Sequence, residues 1–186
     1  MDRLATLTSR IFGASLLFLS GFVALETVLR KVANTSLQGA DELGGYVLAF
    51  GSSLAFIVTL VERAHIRIDI LHRKFPTRMQ AVIDWLAAVS MALLGVFLLY
   101  VGWFVVRDTL AYGSTAPTPW ATPLIWPQAA WYGALAVFSL AAIGLSFRAS
   151  WLLAQRRFTD LANEFNPKGA AEELAEELSN QRQRKG

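Results

Sequence analysis

LGGYVLAFGSSLAFIVTLV, residues Leu43–Val61, runs without a break into ERAHIRIDIL, residues Glu62–Leu71. An apolar run of that length can cross a hydrocarbon core of ~30 Å as a helix. The polar, mostly cationic stretch after it cannot stay in lipid. A second apolar run, Ala81–Val106, begins soon after. The reading is therefore two membrane spans joined by a basic connection. Two more runs, Ile11–Leu29 and Ala129–Phe147, raise the number of expected spans to four. The expected fold class is all-α: an integral membrane four-helix protein.

Composition agrees. The chain has 186 residues, 54% of them hydrophobic and 17% charged, against roughly a quarter charged in ordinary soluble domains. Mean hydropathy is +0.42 and the sequence pI about 9.5. Nothing outside the four runs is long enough for a separate soluble domain. The expected organisation is a transmembrane unit over residues 1–158 and a polar cytoplasmic tail over 159–186. Arg3 and Arg10 precede the first run as they would in a secretory signal, but the run is longer than an h-region of ~7–15 residues and lacks a clear A-x-A site. A retained first helix is expected.

The basic residues fix the orientation. Of the 17 Lys and Arg, all but Arg30, Lys31 and Arg107 lie before the first span, in the second connection or after the last span. Positive residues favour the cytoplasmic side, so both termini and the second connection are expected inside. Interleaved with spans in this way, the basic residues are topology charges, and no nucleic-acid partner is expected.

Several residues invite a chemical reading. Glu26 lies near the outer end of the first span, and an ionisable group within a span is a functional candidate by default. Arg30 stands at i,i+4 and can pair with it; proton or substrate coupling and contact with a partner subunit stay open. Asp84 falls in the first turns of the third span. There it can gain from the helix N-terminus and approach Arg78 or water, or else pair with another protein. Asp41 and Glu42 complement the dipole of the second helix. His65 and His72 share the second connection, but two ligands make no metal site, and haem between helices needs histidines within the spans. With no cysteine, disulfides and thiolate chemistry are excluded. No catalytic residue, cofactor or metal is expected.

The second connection reads as a short interfacial helix from Arg63 to about Phe75, ended by Pro76, with its arginines on lipid phosphates. A compact turn capped by Arg67 and Asp69 is the alternative. The second outer loop, Gly113–Pro123, holds three prolines and cannot stay helical. It is either a spacer anchored by Trp120, Trp126, Trp131 and Tyr132, or a periplasmic docking surface presenting Thr115, Pro117, Pro119 and Trp120. Gly45, Ala49 and Ser53 form a small-residue strip that allows close helix approach, and Gly95 and Gly102 act similarly on the third span. After Phe147 the last helix is expected to run on through Trp151, Leu152 and Leu153 until Asn166-Pro167-Lys168-Gly169 breaks it.

The four spans with both ends inside, the motif Glu62-x-x-His65-Ile66-Arg67-Ile68-Asp69-Ile70-Leu71, and the Ser/Thr/Pro-rich loop leading to Pro127 and Trp131-Tyr132 resemble one family. It is the small membrane subunit of tripartite ATP-independent periplasmic (TRAP) transporters. The likeness covers about residues 5–155. It implies a non-catalytic subunit of the bacterial inner membrane that braces the static scaffold of a large multi-helix subunit. That large subunit would carry sodium and an organic acid by an elevator motion, fed by a periplasmic substrate-binding protein. It assigns assembly roles to Glu62, His65, Arg67 and Asp69, joined by Arg63, Glu26, Arg30 and Asp84 as further interface candidates. Sodium would sit on the large subunit only. The tail after Asn163 has no counterpart in this likeness. Two other functions compete: a self-sufficient four-helix proton-coupled exporter using Glu26, and a membrane anchor for a redox enzyme, which lacks the intramembrane histidines it would need.

Overall fold

The computed structural model describes residues 2–61 and 75–165. The hinge candidates Glu62, Arg63, His65, Arg67 and Asp69, with His72 and the expected interfacial helix, lie outside the described residues.

Five helices succeed one another: α1 (Asp2–Val32), α2 (Ala40–Val61), α3 (Thr77–Tyr112), α4 (Ile125–Ala154) and α5 (Phe158–Phe165). The first four are long and apolar enough to cross a membrane. Each outlasts the apolar run that announced it, because a helix keeps its backbone bonded after its side chains turn polar. At ~1.5 Å per residue α3 is about 54 Å long, well beyond the hydrocarbon thickness. Pro76, extended at φ −63° and ψ 151°, opens α3; its ring needs no N–H at a helix start. Gly113 closes α3 in the left-handed conformation at φ 58°, its N–H returning to the Thr109 carbonyl, a position where a side chain would be strained.

Helix packing runs α1 on α2, α2 on α4 and α4 on α3. The spans therefore make a row with α1 and α3 at its ends. Buried residues make up 6% of the apolar stretch of α1 and 11% of that of α3, against 22% and 28% for α2 and α4. The end helices turn broad apolar faces outward, among them Leu17, Phe18 and Leu25 on α1 and Leu93, Phe97 and Tyr100 on α3.

Close approach is made by small residues. A Cβ on Gly51 would fall on the Phe12 ring of α1, one on Gly95 would lie 3.0 Å from the Ser139 backbone of α4, and one on Gly102 would meet Tyr132. Ser139 donates its hydroxyl hydrogen to the Gly95 carbonyl at 2.9 Å and its own Leu135 carbonyl at 2.8 Å. Gly95 and Gly102 thus act as expected. The strip on α2 does not: Ser53 is buried, but Gly45 and Ala49 are exposed, and Gly51, which is not part of the strip, receives α1. Phe138 fills the middle of the core between Leu54, Ile57, Leu60, Ala92, Ala134 and Ala142.

The last helix runs on through Trp151, Leu152 and Leu153 as expected but breaks well before Asn166. α4 stops at Ala154, where Arg156 takes a left-handed φ of 59° and the Arg157 N–H bonds the Leu152 carbonyl. The chain folds back instead of running on to Pro167. Leu161 and Phe165, one turn apart on α5, bury themselves against Ala81, Ala88, Ala149 and Leu152. That burial offsets the strain of a non-glycine residue in this region, of order 1–3 kcal/mol. Residues 159–165, which the sequence alone places with the polar tail, are a packed part of the bundle.

A candidate docking surface at the loop end

Two carboxylates organise the end of the bundle that carries residues 33–39 and 113–124. Glu26, on the last turns of α1, is buried. Arg30 donates to its Oε1 at 2.8 Å, the Ser36 hydroxyl donates to the same oxygen at 2.6 Å, and the Leu37 N–H donates to Oε2 at 2.6 Å. The pairing with Arg30 comes from helical spacing. The other two donors are delivered by the loop, which bends back through Asn34 and Gln38, both at positive φ; asparagine tolerates that region better than most residues. Glu26 is thus a clamp on the first loop, with both oxygens occupied.

Glu42 does the same for the second loop. It is buried at the start of α2 and accepts from the Tyr46 hydroxyl at 2.8 Å and from the Thr118 hydroxyl. The loop is ordered by its own ladder: Thr115 and Pro123 pair as an antiparallel bridge, with the Ala116 N–H on the Thr122 carbonyl at 2.9 Å and the Leu124 N–H on the Ser114 carbonyl at 3.0 Å. A proline can serve here because the bonds fall on its neighbours.

Trp120 joins the two loops. Its ring covers Gly39 so closely that a Cβ there would lie on the indole, and it meets Phe22 edge-on with centroids 6.1 Å apart. Still, 45% of Trp120 is exposed. Thr115, Pro117 and Pro119 are exposed beside it. The four residues read from the sequence as docking candidates are thus all exposed on one hydrogen-bonded loop. Trp131 and Tyr132 serve helix packing as well as any interface, since both lie against Gly102 and the Tyr132 hydroxyl donates to the Leu99 carbonyl at 3.3 Å.

Asp84 lies elsewhere. It is fully buried on α3, on the face that carries Ala81 and Ala88 toward α4 and α5, and so does not reach water. Glu42 was legible only as a dipole complement; its grip on Thr118 spans 76 residues, a contact no local spacing announces. Among the described residues no group of three or more His, Cys, Asp or Glu could hold a metal ion.

The family model for the DctQ component of tripartite ATP-independent periplasmic transporters matches residues 19–151. The chain belongs to that family. No curated protein and no solved structure matches it. As a DctQ component it is a non-catalytic, multi-pass membrane subunit of a TRAP transporter, which implies partners within that tripartite assembly. The match takes in α2, α3 and nearly all of α4, the 62–74 connection and both outer loops, so Glu26, Glu42 and Trp120 all fall inside it.

The clamp makes a testable claim about this DctQ component. Glu26→Ala is expected to speed amide hydrogen exchange severalfold across residues 33–39 while leaving α3 and α4 protected, since local openings track local bonds. Arg30→Ala should do much less, because Arg30 is 69% exposed at its side chain and exposed ion pairs contribute little. Unchanged exchange in the glutamate variant would show that the loop holds without it.

Proposed function

We propose that this DctQ component is the small subunit of a sodium-coupled TRAP transporter for organic acids, bracing the static scaffold of the large transport subunit in the bacterial inner membrane. The observation that carries the reading is where the polar groups go. The buried hydroxyls deep in the spans, Ser53 and Ser139, bond backbone carbonyls, the buried carboxylates of the loop end, Glu26 and Glu42, are engaged by loop donors, and the third buried carboxylate, Asp84, is enclosed within two turns of the start of α3. A transport pathway needs polar groups free to meet a solute at mid-membrane. A row with apolar end faces is instead suited to lie along a larger membrane protein.

On this reading both termini are cytoplasmic, the polarity favoured by Arg78, Arg148, Arg156 and Arg157 at the α5 end against Arg30, Lys31 and Arg107 at the other. The loop cap then faces the periplasm and offers Thr115, Pro117, Pro119 and Trp120 to the substrate-binding protein. Glu62, Arg63, His65, Arg67 and Asp69 keep an assembly role against the large subunit. Glu26 and Arg30 contribute by shaping the cap. Sodium and solute are handled by the large subunit.

Reconstitution tests this. Vesicles holding the chain alone are expected to accumulate no labelled organic acid, and co-reconstitution with the large subunit and the binding protein to restore sodium-dependent uptake. Transport by the chain alone, abolished in a well-assembled Glu26→Gln variant, would establish the proton-coupled exporter in its place.

A further inference from the structure

Four arginines gather at the α5 end, and two of them are satisfied by carboxylates. Arg148 bonds Glu164 at 3.2 Å and Arg157 bonds Asp160 at 2.6 Å. Arg78 and Arg156 are exposed and enter no ion pair among the described residues. They are neighbours through Phe158. The Arg78 guanidinium lies over that ring, 5.9 Å from its centroid, and Phe158 comes two positions after Arg156, just past the left-handed turn at φ 59°.

Helix geometry sets the depth of this pair. Trp126 and Trp151 are 72% and 62% exposed at opposite ends of α4, about 37 Å apart at ~1.5 Å per residue. That is the spacing of two aromatic belts flanking a hydrocarbon core of ~30 Å. On α3, Arg78 and Arg107 stand about 43 Å apart by the same rise, which matches the ~40–45 Å between opposite headgroup layers. Arg156 lies at the turn that ends α4, five residues after Trp151. Both cations thus sit at headgroup level, with the exposed Trp151 indole preceding one of them on the last turn of α4. The anions abundant at that depth are lipid phosphates, and arginine's fork suits a phosphodiester's paired oxygens.

We infer that Arg78 and Arg156, with Trp151 below them, form a seat for the headgroup of one anionic phospholipid at the α4–α5 turn. A zwitterionic lipid brings its own ammonium group and so loses much of the attraction; a phosphatidylglycerol does not.

Native mass spectrometry of the full chain, released from detergent micelles containing equal phosphatidylglycerol and phosphatidylcholine, reads the site. The wild type should retain the anionic lipid over the zwitterionic one by about tenfold or more, given two arginines at the surface. Arg78→Gln with Arg156→Gln should bring the two adducts to parity, whereas Arg10→Gln with Arg107→Gln should leave the preference intact. Arg78→Lys with Arg156→Lys, which keeps the charge, should retain a reduced preference and shows that folding survives change at both sites. Millimolar inorganic phosphate should not displace the adduct. Equal adducts on the wild type, a preference that survives the double glutamine change, or displacement by phosphate would each overturn the lipid seat.

Discussion

Phe138→Ala is expected to lower the thermal midpoint of the detergent-solubilised chain by about 5–10 °C. Phe138 is fully buried, packs with Leu54, Ile57 and Leu60 of α2 and Ala92 of α3, and its ring meets that of Phe56 at 5.5 Å. In water such a truncation costs ~3–5 kcal/mol. Part of that cost is transfer from water, which does not apply where the alternative surroundings are lipid tails as apolar as leucine. What stays is the cavity, ~24 cal/mol per Å³, together with the dispersion contacts its lining loses. About 2–3 kcal/mol remains, and for a chain of this size each kcal/mol moves the midpoint by ~2–4 °C. Phe138→Leu should lose less than half as much. Phe147→Ala, which removes a ring 74% exposed, should leave the midpoint nearly unchanged. A Phe138→Ala midpoint equal to the wild type's would mean that the α2–α4 contact is not where the row is held.

The spans were legible because hydropathy over about twenty residues is a property of the chain alone. So were the Glu26–Arg30 pair at i,i+4 and the close approach at Gly95 and Gly102. Packing order was not. That α4 sits between α2 and α3 depends on which faces fit, and apolar spans differ little in periodicity. Hence the strip at Gly45 and Ala49 pointed to a contact that Gly51 makes instead. The cap was half legible: prolines excluded a helix over 113–123, but the partners of Glu42 and the seat of Trp120 on Gly39 arise only when two distant loops meet. The turn at Arg156 is hidden for a related reason. Arginine carries no left-handed preference, so the break is imposed by the docking of α5. Leu161 and Phe165 at i,i+4 were the available signal, a short apolar stripe in FTDLANEF that needs a receptive surface near Ala81 and Ala149 before it means anything.

Gly95→Leu tests whether the α3–α4 contact is the rigid joint of this DctQ component. A Cβ at Gly95 would lie 2.9 Å from the Ser139 Oγ and 3.0 Å from the Ser139 Cα. The hydroxyl cannot swing clear without leaving the Gly95 and Leu135 carbonyls it bonds, and the Cα is backbone. The helices must therefore separate, and the loss spreads to the neighbouring approach of Gly102 to Tyr132 and Trp131. Overpacking of this kind costs ~1–3 kcal/mol for a few inserted methylenes. Backbone contact along a whole helix pair puts Gly95→Leu at the upper end, so a midpoint at least ~6 °C lower is expected, with Gly95→Ala intermediate. Gly144→Leu is the control, because nothing lies within 4 Å of a Cβ there. The functional readout separates bracing from mere presence. If the small subunit works by holding a scaffold steady, Gly95→Ala should still co-purify with the large subunit while sodium-dependent uptake falls. Full uptake with α3 and α4 demonstrably displaced would mean that the large subunit needs the chain's company but not its stiffness.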